Sequence, residues 1–239
     1  MRKILITNDD GIMSDGLIRL AGTAVKYGEV WVVAPEKQCS AMSHCITLRE
    51  PIEYYPVDFP VDGVHAFAIT GTPADCVRVG IPNIMKCRPD VVFAGINYGH
   101  NIGSDIQYSA TCGAAFEATW VGIQAIAFSE GMCDMHEVTD VYLDKIMGEL
   151  LKEPLSYNLI WNVNFPSCPI SEYKGILRDR TVAHNSFFHD SYPELERLDN
   201  GRVRVLVHGD RVTDAKEGTD FEAISQNYIS IGTVSNYRE

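Results

Sequence analysis

The sequence has few basic residues. Among 239 residues, Lys and Arg number 20 against 32 Asp and Glu, which gives a formal net charge of −12. Nucleic acid backbones and anionic membranes attract positively charged surfaces, so this balance argues against a general affinity for either. We therefore expect no nucleic acid duplex as a partner. Any phosphate group that binds must be held by a local arrangement of donors.

Long apolar segments are also missing. No stretch approaches the roughly 20 apolar residues that span a bilayer, and the first residues lead into a strand pattern without the apolar segment and cleavage site of a secretory signal. We expect no membrane association and a cytoplasmic location. The seven cysteines include no Cys-x-x-Cys pair, which disfavours both a disulfide framework and a structural zinc site.

What the sequence does contain is a series of alternating strand and helix patterns. The apolar run Ile4–Thr7, the helical periodicity after Ser14, which we take as its N-cap, and the apolar run Val30–Ala34 predict one parallel βαβ unit. Similar repeats continue to Leu159–Pro166, which we take as the last strand of the main sheet. Residues 1–166 are therefore predicted to form one α/β domain with a mostly parallel sheet.

Residues 167–239 follow a different pattern of shorter, mixed segments. The alternation in Arg202–Val207 is typical of a hairpin strand, and Asn227–Ile231 resembles another strand. Such segments do not suffice for a separate core. We therefore predict an extension that packs on the main domain or on a neighbouring subunit, so that the whole chain forms one structural unit.

Asp9 and Asp10 directly follow the first predicted strand. Open α/β sheets place their chemistry at the carboxyl ends of parallel strands. Two adjacent carboxylates repel each other unless a proton or a cation lies between them, so a hard divalent cation such as Mg²⁺, Mn²⁺ or Ca²⁺ is a suitable partner. For the pair alone, a solvated Asp-Asp-Gly turn remains an alternative.

Further oxygen ligands follow other strands at the same edge of the predicted sheet. Ser40 lies in the loop after the second strand, and Asn97 lies in the glycine- and asparagine-rich segment Gly95–Asp105. Ser109 and Thr111 stand at the start of a helix, whose free N–H groups suit a phosphate. A divalent cation at this edge can polarise a phosphoryl group and activate water. The residues therefore favour a phosphomonoester hydrolase.

The sequence also resembles the stationary-phase survival protein SurE family of nucleotidases. The resemblance runs along nearly the whole chain and is carried by a set of ordered motifs. These are Ile6–Gly11, Ala34–Glu36 with Ser40, Thr70–Val77, Gly95–Asp105, Tyr108–Thr111 with Gly113–Ala115, Asn162–Pro166, Gly218–Asp220 and Tyr228–Ile231.

The resemblance implies a Rossmann-like three-layer α/β sandwich with a C-terminal β-rich extension used to form a homodimer or homotetramer. It implies hydrolysis of nucleoside 5′- and 3′-monophosphates to nucleoside and phosphate with Mg²⁺ or Mn²⁺, with short polyphosphate as a further candidate substrate. The family's metal ligands fall on Asp9, Asp10, Ser40 and Asn97. The segment 167–199 departs from the family pattern, which leaves base recognition open.

These assignments lead to a hypothesis for the mechanism. The metal would bind a phosphate oxygen and a water among its four ligands, and a carboxylate, Asp9 in our hypothesis, would assist the attack of that water. Asp10 completes the acidic pair. Asn101, Ser109 and Thr111 would stabilise the charge that develops on the phosphoryl oxygens.

Two other protein classes share the first strand pattern. A receiver domain of a signalling protein also begins with a strand and an acidic pair, but it needs a phosphoacceptor Asp at a later strand end and a Lys beyond the last strand; here Asn97 and Glu130 stand nearest those places. A dinucleotide oxidoreductase needs a Gly-x-Gly-x-x-Gly turn where this chain has two carboxylates.

Overall fold

The computed structural model describes residues 1–236. Its strands and helices in chain order are β1 (Arg2–Thr7), α1 (Asp15–Ala24), β2 (Gly28–Pro35), β3 (Tyr54–Pro56), β4 (Val64–Ile69), α2 (Pro73–Val79), β5 (Val91–Tyr98), α3 (Ala110–Trp120), β6 (Gln124–Glu130), α4 (Glu137–Leu150), β7 (Leu159–Phe165), β8 (Gly175–Leu177), β9 (Phe188–Ser191), β10 (Glu194–Arg197), β11 (Val203–Val205), β12 (His208–Arg211), α5 (Asp220–Ser225) and β13 (Tyr228–Ser235). A short 3₁₀ turn, Gly103–Gln107, precedes α3.

A nine-stranded sheet forms the centre of the fold. Its strand order is β3-β4-β2-β1-β5-β6-β7-β13-β8. The six strands from β4 to β7 run parallel, whereas β3 and β13 are antiparallel to their neighbours β4 and β7. The carboxyl ends of β1, β2, β5, β6 and β7 therefore lie along one edge of the sheet. The predicted parallel βαβ start is confirmed.

Helices cover both faces of this sheet. Side chains along β1 alternate between the faces, so Ile4 and Ile6 pack in the core with α1 and α4, whereas Leu5 packs in the core with α2 and α3. On α3 the small residues Ala114, Ala115 and Ala118 are fully buried in this second layer. The result is the Rossmann-like three-layer α/β sandwich that the sequence predicts.

One boundary of the sheet differs from our prediction. Leu159–Pro166 is not the last strand, because β13 continues the sheet beyond β7 and β8 pairs with β13. The physical reason is burial: Ile229 and Ile231 of β13 are fully buried in the core shared by α1 and α4. The sheet thus takes strands from both segments, residues 1–166 and residues from 167 onward.

The predicted hairpin strand within Arg202–Val207 is confirmed as β11, which pairs antiparallel with β10. Strands β9 and β12 form a second antiparallel pair at the base of the same hairpin. All residues of these four strands are exposed, and several are large and apolar: Phe188, Leu195, Val203 and Val205, with Tyr192, Leu206 and Val207 in the adjoining turns. Among the helices of residues 1–236, none is long and apolar enough to cross a membrane.

Candidate active site

Asp9 lies buried directly after β1. Its side chain is 3% exposed, and its Oδ1 accepts a hydrogen bond from Thr111 Oγ1 at 2.6 Å. Burial raises the pKa of Asp9 to about 6; the Thr111 hydrogen bond opposes this rise and the neighbouring charge of Asp10 adds to it. The sequence thus places a carboxylate where desolvation disfavours its charge.

Asp10 is less buried than Asp9 and points toward the end of β5. Its Oδ2 accepts a hydrogen bond from the backbone N–H of Tyr98 at 3.0 Å. Burial raises the pKa of Asp10, whereas hydrogen bonds from the Tyr98 backbone and the Gln38 side chain lower it. Asp9 therefore contacts the start of α3, and Asp10 contacts the end of β5.

Asn97 meets Asp9 through Thr111. The Asn97 Nδ2 group donates to Gly99 O at 2.7 Å, which leaves Oδ1 facing Thr111 Oγ1 at 3.3 Å. The backbone before Asn97 needs glycine, because Gly95 has a φ of +133° and a Cβ there would lie 2.2 Å from Phe128 O. Side chains from β1, β5 and α3 thus meet at one point.

Ser40 joins the same region from the loop after β2. The N–H of its neighbour Cys39 donates to Asp9 O at 2.7 Å. The exposed Ser40 Oγ accepts from Gln38 Nε2 at 3.1 Å, and Gln38 also hydrogen bonds to the Asp10 carboxylate. Ser40 is therefore linked to both acids through its own loop.

The start of α3 carries Ser109 and Thr111. Ser109 is the N-cap, and its Oγ accepts from the N–H of Cys112 at 3.0 Å, which leaves the hydroxyl hydrogen to donate elsewhere. The loop that carries Ser40 packs closely on this helix, because a Cβ at Gly113 would lie 2.5 Å from Ser43 O.

Asn101 lies in a buried network of polar side chains. Its side-chain Nδ2 donates to Ser129 Oγ at 2.8 Å. Its backbone carbonyl oxygen accepts from the side-chain Nδ2 groups of Asn162 and Asn164, at 2.8 and 3.1 Å. These contacts fix the segment between β5 and α3 to the carboxyl ends of β6 and β7. The predicted contact of Asn101 with a phosphoryl group stays a prediction.

Ser14 differs from our expectation. It occupies the N-cap position of α1, but its side chain makes no bond to the helix. Instead its Oγ accepts from Asn8 Nδ2 at 2.6 Å, and the same Asn8 group donates to Gly11 O at 3.0 Å. The Ser14 hydroxyl therefore bonds to Asn8 and not to the helix. The two bonds of Asn8 stabilise the turn that carries Asp9 and Asp10.

Sequence reasoning assigned no role to two buried acids that organise the loops around the site. Asp220, at the start of α5, accepts from the N–H groups of Gly103 and Ala183, both at 2.9 Å. Glu117 on α3 is 4% exposed and contacts both His44 and Arg78. Glu117 is the one charged residue of the helix Ala110–Trp120, and this is a signal that could have identified it. Asp220 stands in the motif Gly218–Asp220 of the resemblance, but that motif does not indicate which N–H groups its carboxylate binds.

The donor set fits a hard divalent cation. Asp9, Asp10, Ser40 and Asn97 offer only oxygen atoms, which Mg²⁺ and Mn²⁺ prefer. Within residues 1–236, neither Asp9 nor Asp10 forms an ion pair with Lys, Arg or His, and no group of three or more His, Cys, Asp or Glu side chains forms a separate metal-binding cluster. The negative charge of the pair is thus left uncompensated by side chains in the described part of the chain.

Known proteins resemble this chain over most of its length. The family model described as Survival protein SurE matches residues 4–186. The chain belongs to the SurE family. A 5′-nucleotidase SurE from Clostridium botulinum (strain ATCC 19397 / Type A) is 38% identical over 232 residues, covering 95% of this chain and 90% of the relative. A 5′-nucleotidase SurE from Pelobacter propionicus is 36% identical over 233 residues, covering 95% and 91%.

The fold agrees with the family as well. The crystal structure of the SurE protein from Aquifex aeolicus superposes with a TM-score of 0.82 at 31% identity, covering 98% of this chain and 93% of that protein. The coverage includes the C-terminal strands, so the SurE likeness extends beyond the residues that the family model matches.

Proposed function

We propose that this protein hydrolyses nucleoside 5′- and 3′-monophosphates to nucleoside and phosphate with a bound Mg²⁺ or Mn²⁺ ion, and that short polyphosphate is a further substrate. Membership of the family makes the chain a 5′-nucleotidase of the SurE type. The proposal adds the metal, the residues that act and the wider range of substrates.

One observation carries the proposal most directly. Thr111 Oγ1 lies 2.6 Å from Asp9 Oδ1 and 3.3 Å from Asn97 Oδ1, so an acid, an amide oxygen and the start of α3 share one point at the sheet edge. Metal ligands and phosphate donors must lie this close for a metal to bind a phosphoryl oxygen. A solvated Asp-Asp-Gly turn does not explain why Asp9 is buried.

The residues divide the work of the reaction among them. Asp9, Asp10, Ser40 and Asn97 would hold the metal, which polarises the phosphoryl group and activates water. Asp9 accepts a proton from the attacking water, and Thr111 keeps the Asp9 carboxylate in position. Ser109 donates its hydroxyl hydrogen to a phosphoryl oxygen, with the N–H groups at the start of α3 and Asn101 beside it.

The test is phosphate release from a panel of 5′- and 3′-nucleoside monophosphates and short polyphosphate, with Mg²⁺, Mn²⁺ or chelator. We expect release only with metal, and a loss of at least about 100-fold in kcat/KM for Asp10→Asn, since losing even an outer partner of a metal ligand costs 10–100-fold. The exposed Asp58→Asn serves as the control. Unchanged hydrolysis by a well-folded Asp10→Asn protein would refute the metal scheme.

We also propose that the segment 167–239 serves as an oligomerisation arm in a cytoplasmic homodimer or homotetramer. The support is the hairpin of β9 to β12, on which several large apolar side chains are exposed to solvent. The variant Leu195→Asp with Val205→Asp should lower the molar mass measured by light scattering. An unchanged mass would show that the hairpin is not the contact.

A further inference from the structure

The loop of residues 39–47, called the Ser40 loop below, has a backbone conformation that most residues avoid. Ala41 and Ser43 have φ values of +60° and +53°, in the left-handed region that favours glycine. Neither residue is glycine, so each adds strain to the folded loop. A strained loop keeps its shape only where the surrounding structure holds it. The contacts of the Ser40 loop therefore determine where Ser40 lies.

Ser40 itself contributes little to holding the loop. Its Oγ is exposed, and the hydrogen bond identified for it within residues 1–236 comes from the nearby Gln38, at 3.1 Å. A neutral hydroxyl attracts a divalent cation less strongly than a carboxylate does, so it serves as a ligand only if it is already in place. The position of Ser40 must come from other residues of the loop.

The two ends of the Ser40 loop are bonded through their backbone groups. At one end, the N–H of Cys39 donates to Asp9 O at 2.7 Å. At the other end, Cys45 O accepts from Thr72 Oγ1 at 2.6 Å. These bonds fix where the loop begins and ends, but the strained residues lie between them.

The middle of the loop is bonded to α3. The N–H of Ser43 donates to Tyr108 O at 2.9 Å, one residue before the N-cap of the helix. The next side chain, His44, places its Nε2 at 2.8 Å from Glu117 Oε2, about two turns further along α3. Between these two bonds the backbone of the loop lies against Gly113, where no Cβ would fit. The loop thus follows the helix closely.

Glu117 is paired on both of its oxygens. It is buried, its Oε2 faces His44, and its Oε1 accepts from Arg78 Nη1 at 3.0 Å. Burial disfavours the charged carboxylate, but hydrogen bonds and charges from His44 and Arg78 outweigh burial and lower the pKa of Glu117. An ionised carboxylate only accepts, so the bond needs a hydrogen on His44 Nε2, which the neutral ring and the charged ring can both supply. The contact therefore does not depend on the charge of His44.

We propose that Glu117 is a positioning residue for the metal site, which acts through His44 to hold the strained Ser40 loop against α3 and so keeps Ser40 beside the acidic pair. The inference rests on the proposed metal-dependent nucleotidase function and adds to it a residue outside the ligand set. Arg78 contributes by bonding the second oxygen of Glu117, so that neither oxygen of the buried acid is left unpaired.

The experiment compares variants of the full chain. His44→Leu removes the donor to Glu117, Glu117→Ala removes the acceptor, and His44→Gln retains an N–H donor near the position of Nε2. The matched control is His65→Leu, since His65 also lies near a Glu, with its Nε2 3.7 Å from Glu29 Oε1, but at the amino end of β4. Thermal unfolding identifies the variants that remain folded.

The first measurement is hydrogen–deuterium exchange of residues 39–47, followed by mass spectrometry in the absence of metal. We expect the exchange to be at least about tenfold faster than in wild type for His44→Leu and Glu117→Ala, because the middle of the loop loses its bond to α3. It should change by less than about twofold for His44→Gln and His65→Leu. Wild-type exchange in the folded His44→Leu and Glu117→Ala proteins would overturn the inference.

The second measurement is the manganese Kd by calorimetry, together with kcat for adenosine monophosphate at saturating manganese. We expect the Kd to rise about tenfold or more in His44→Leu and Glu117→Ala, and by less than about twofold in His44→Gln and His65→Leu. Saturating manganese should return kcat to within about threefold of wild type, because the ligands themselves are intact. A purely structural contact would lower the unfolding temperature and leave the Kd of the folded protein unchanged.

The outcomes separate this inference from the proposed function. An unchanged manganese Kd in the folded His44→Leu and Glu117→Ala proteins, with wild type binding manganese, would overturn the positioning role. Faster exchange in these two variants, together with no manganese binding and no phosphate release by wild type, would refute the proposed function, while the attachment of the loop through Glu117 would stand.

Discussion

The pKa of Asp9 leads to a quantitative prediction for the metal-free protein. A carboxyl whose pKa rises from 3.8 to about 6 on folding is favoured in its neutral form by the folded state. The stability of the protein is therefore highest, as far as Asp9 is concerned, below the unfolded pKa. It falls as the pH rises toward about 6, and the loss is complete above about pH 7. At 1.36 kcal/mol per pH unit, the full loss is about 3 kcal/mol.

The substitution Asp9→Asn removes this loss. The amide oxygen can still accept from Thr111, so the geometry of the contact survives while the buried charge is gone. In the presence of chelator, we expect Asp9→Asn to be more stable than wild type by up to about 3 kcal/mol at pH 8, with the difference shrinking toward pH 4. Other buried acids titrate in both proteins, so the difference between the two isolates Asp9.

The assay is urea unfolding at several pH values, followed by circular dichroism, with Asp58→Asn as the exposed control. Manganese at about 1,000 times its Kd then reverses the order, because a ligand that binds only the folded state adds about 4.1 kcal/mol at that concentration, and only wild type keeps both carboxylates. A difference between wild type and Asp9→Asn that does not change with pH would refute the reasoning, as would equal stabilisation of both proteins by manganese.

Three further substitutions test the contacts around the site. Thr111→Val removes the hydrogen-bond donor to Asp9, so the pKa of Asp9 should rise further. Manganese binding, measured by calorimetry, should then need a higher pH than in wild type. An unchanged pH dependence of manganese binding would contradict the role of Thr111. Gly113→Ala pushes a Cβ against Ser43 O and should lower the free energy of unfolding in urea by about 1–3 kcal/mol. The control Gly22→Ala, on an open face of α1, should leave that free energy unchanged or raise it. Equal effects of the two substitutions would refute the close approach of Ser43 to α3. Asp220→Ala leaves the buried N–H groups of Gly103, Ala183 and Phe221 without this acceptor and should cost about 2–3 kcal/mol in urea unfolding. A cost under about 0.5 kcal/mol would show that these bonds contribute little.

The parts of the fold that sequence alone predicted depend on local patterns. The apolar run of β1, the acids that follow it and the cap at Ser109 are each contained in a few consecutive residues, and the structure has them where the patterns put them. The position of β13 could not be read in this way. Its partner β7 lies about 70 residues earlier in the chain, and nothing in either strand specifies the pairing.

The same distinction separates the candidate site residues from those that were missed. Asp9, Asp10 and Asn97 follow predicted strands, so a parallel sheet brings them together before any contact is known. The bonds of Glu117 to His44 and Arg78 join residues 73 and 39 positions apart, and they depend on how a loop and two helices pack. Ser14 shows the opposite case. Its local pattern predicted a cap on α1, but its side chain bonds to Asn8, six positions away.

The charges at the sheet edge support the proposed role of a cation in phosphate binding. Two ionised carboxylates repel a phosphate, and the protein as a whole carries a formal charge of −12. The start of α3 supplies a partial positive charge of roughly half an elementary charge, which is less than the pair contributes in the opposite sense. A bound divalent ion would change the sign of the local charge, and it would also offset the cost of ionising the buried Asp9. The proposed scheme therefore predicts that metal binding and phosphate binding strengthen each other to the same extent, because the coupling between two ligands is reciprocal.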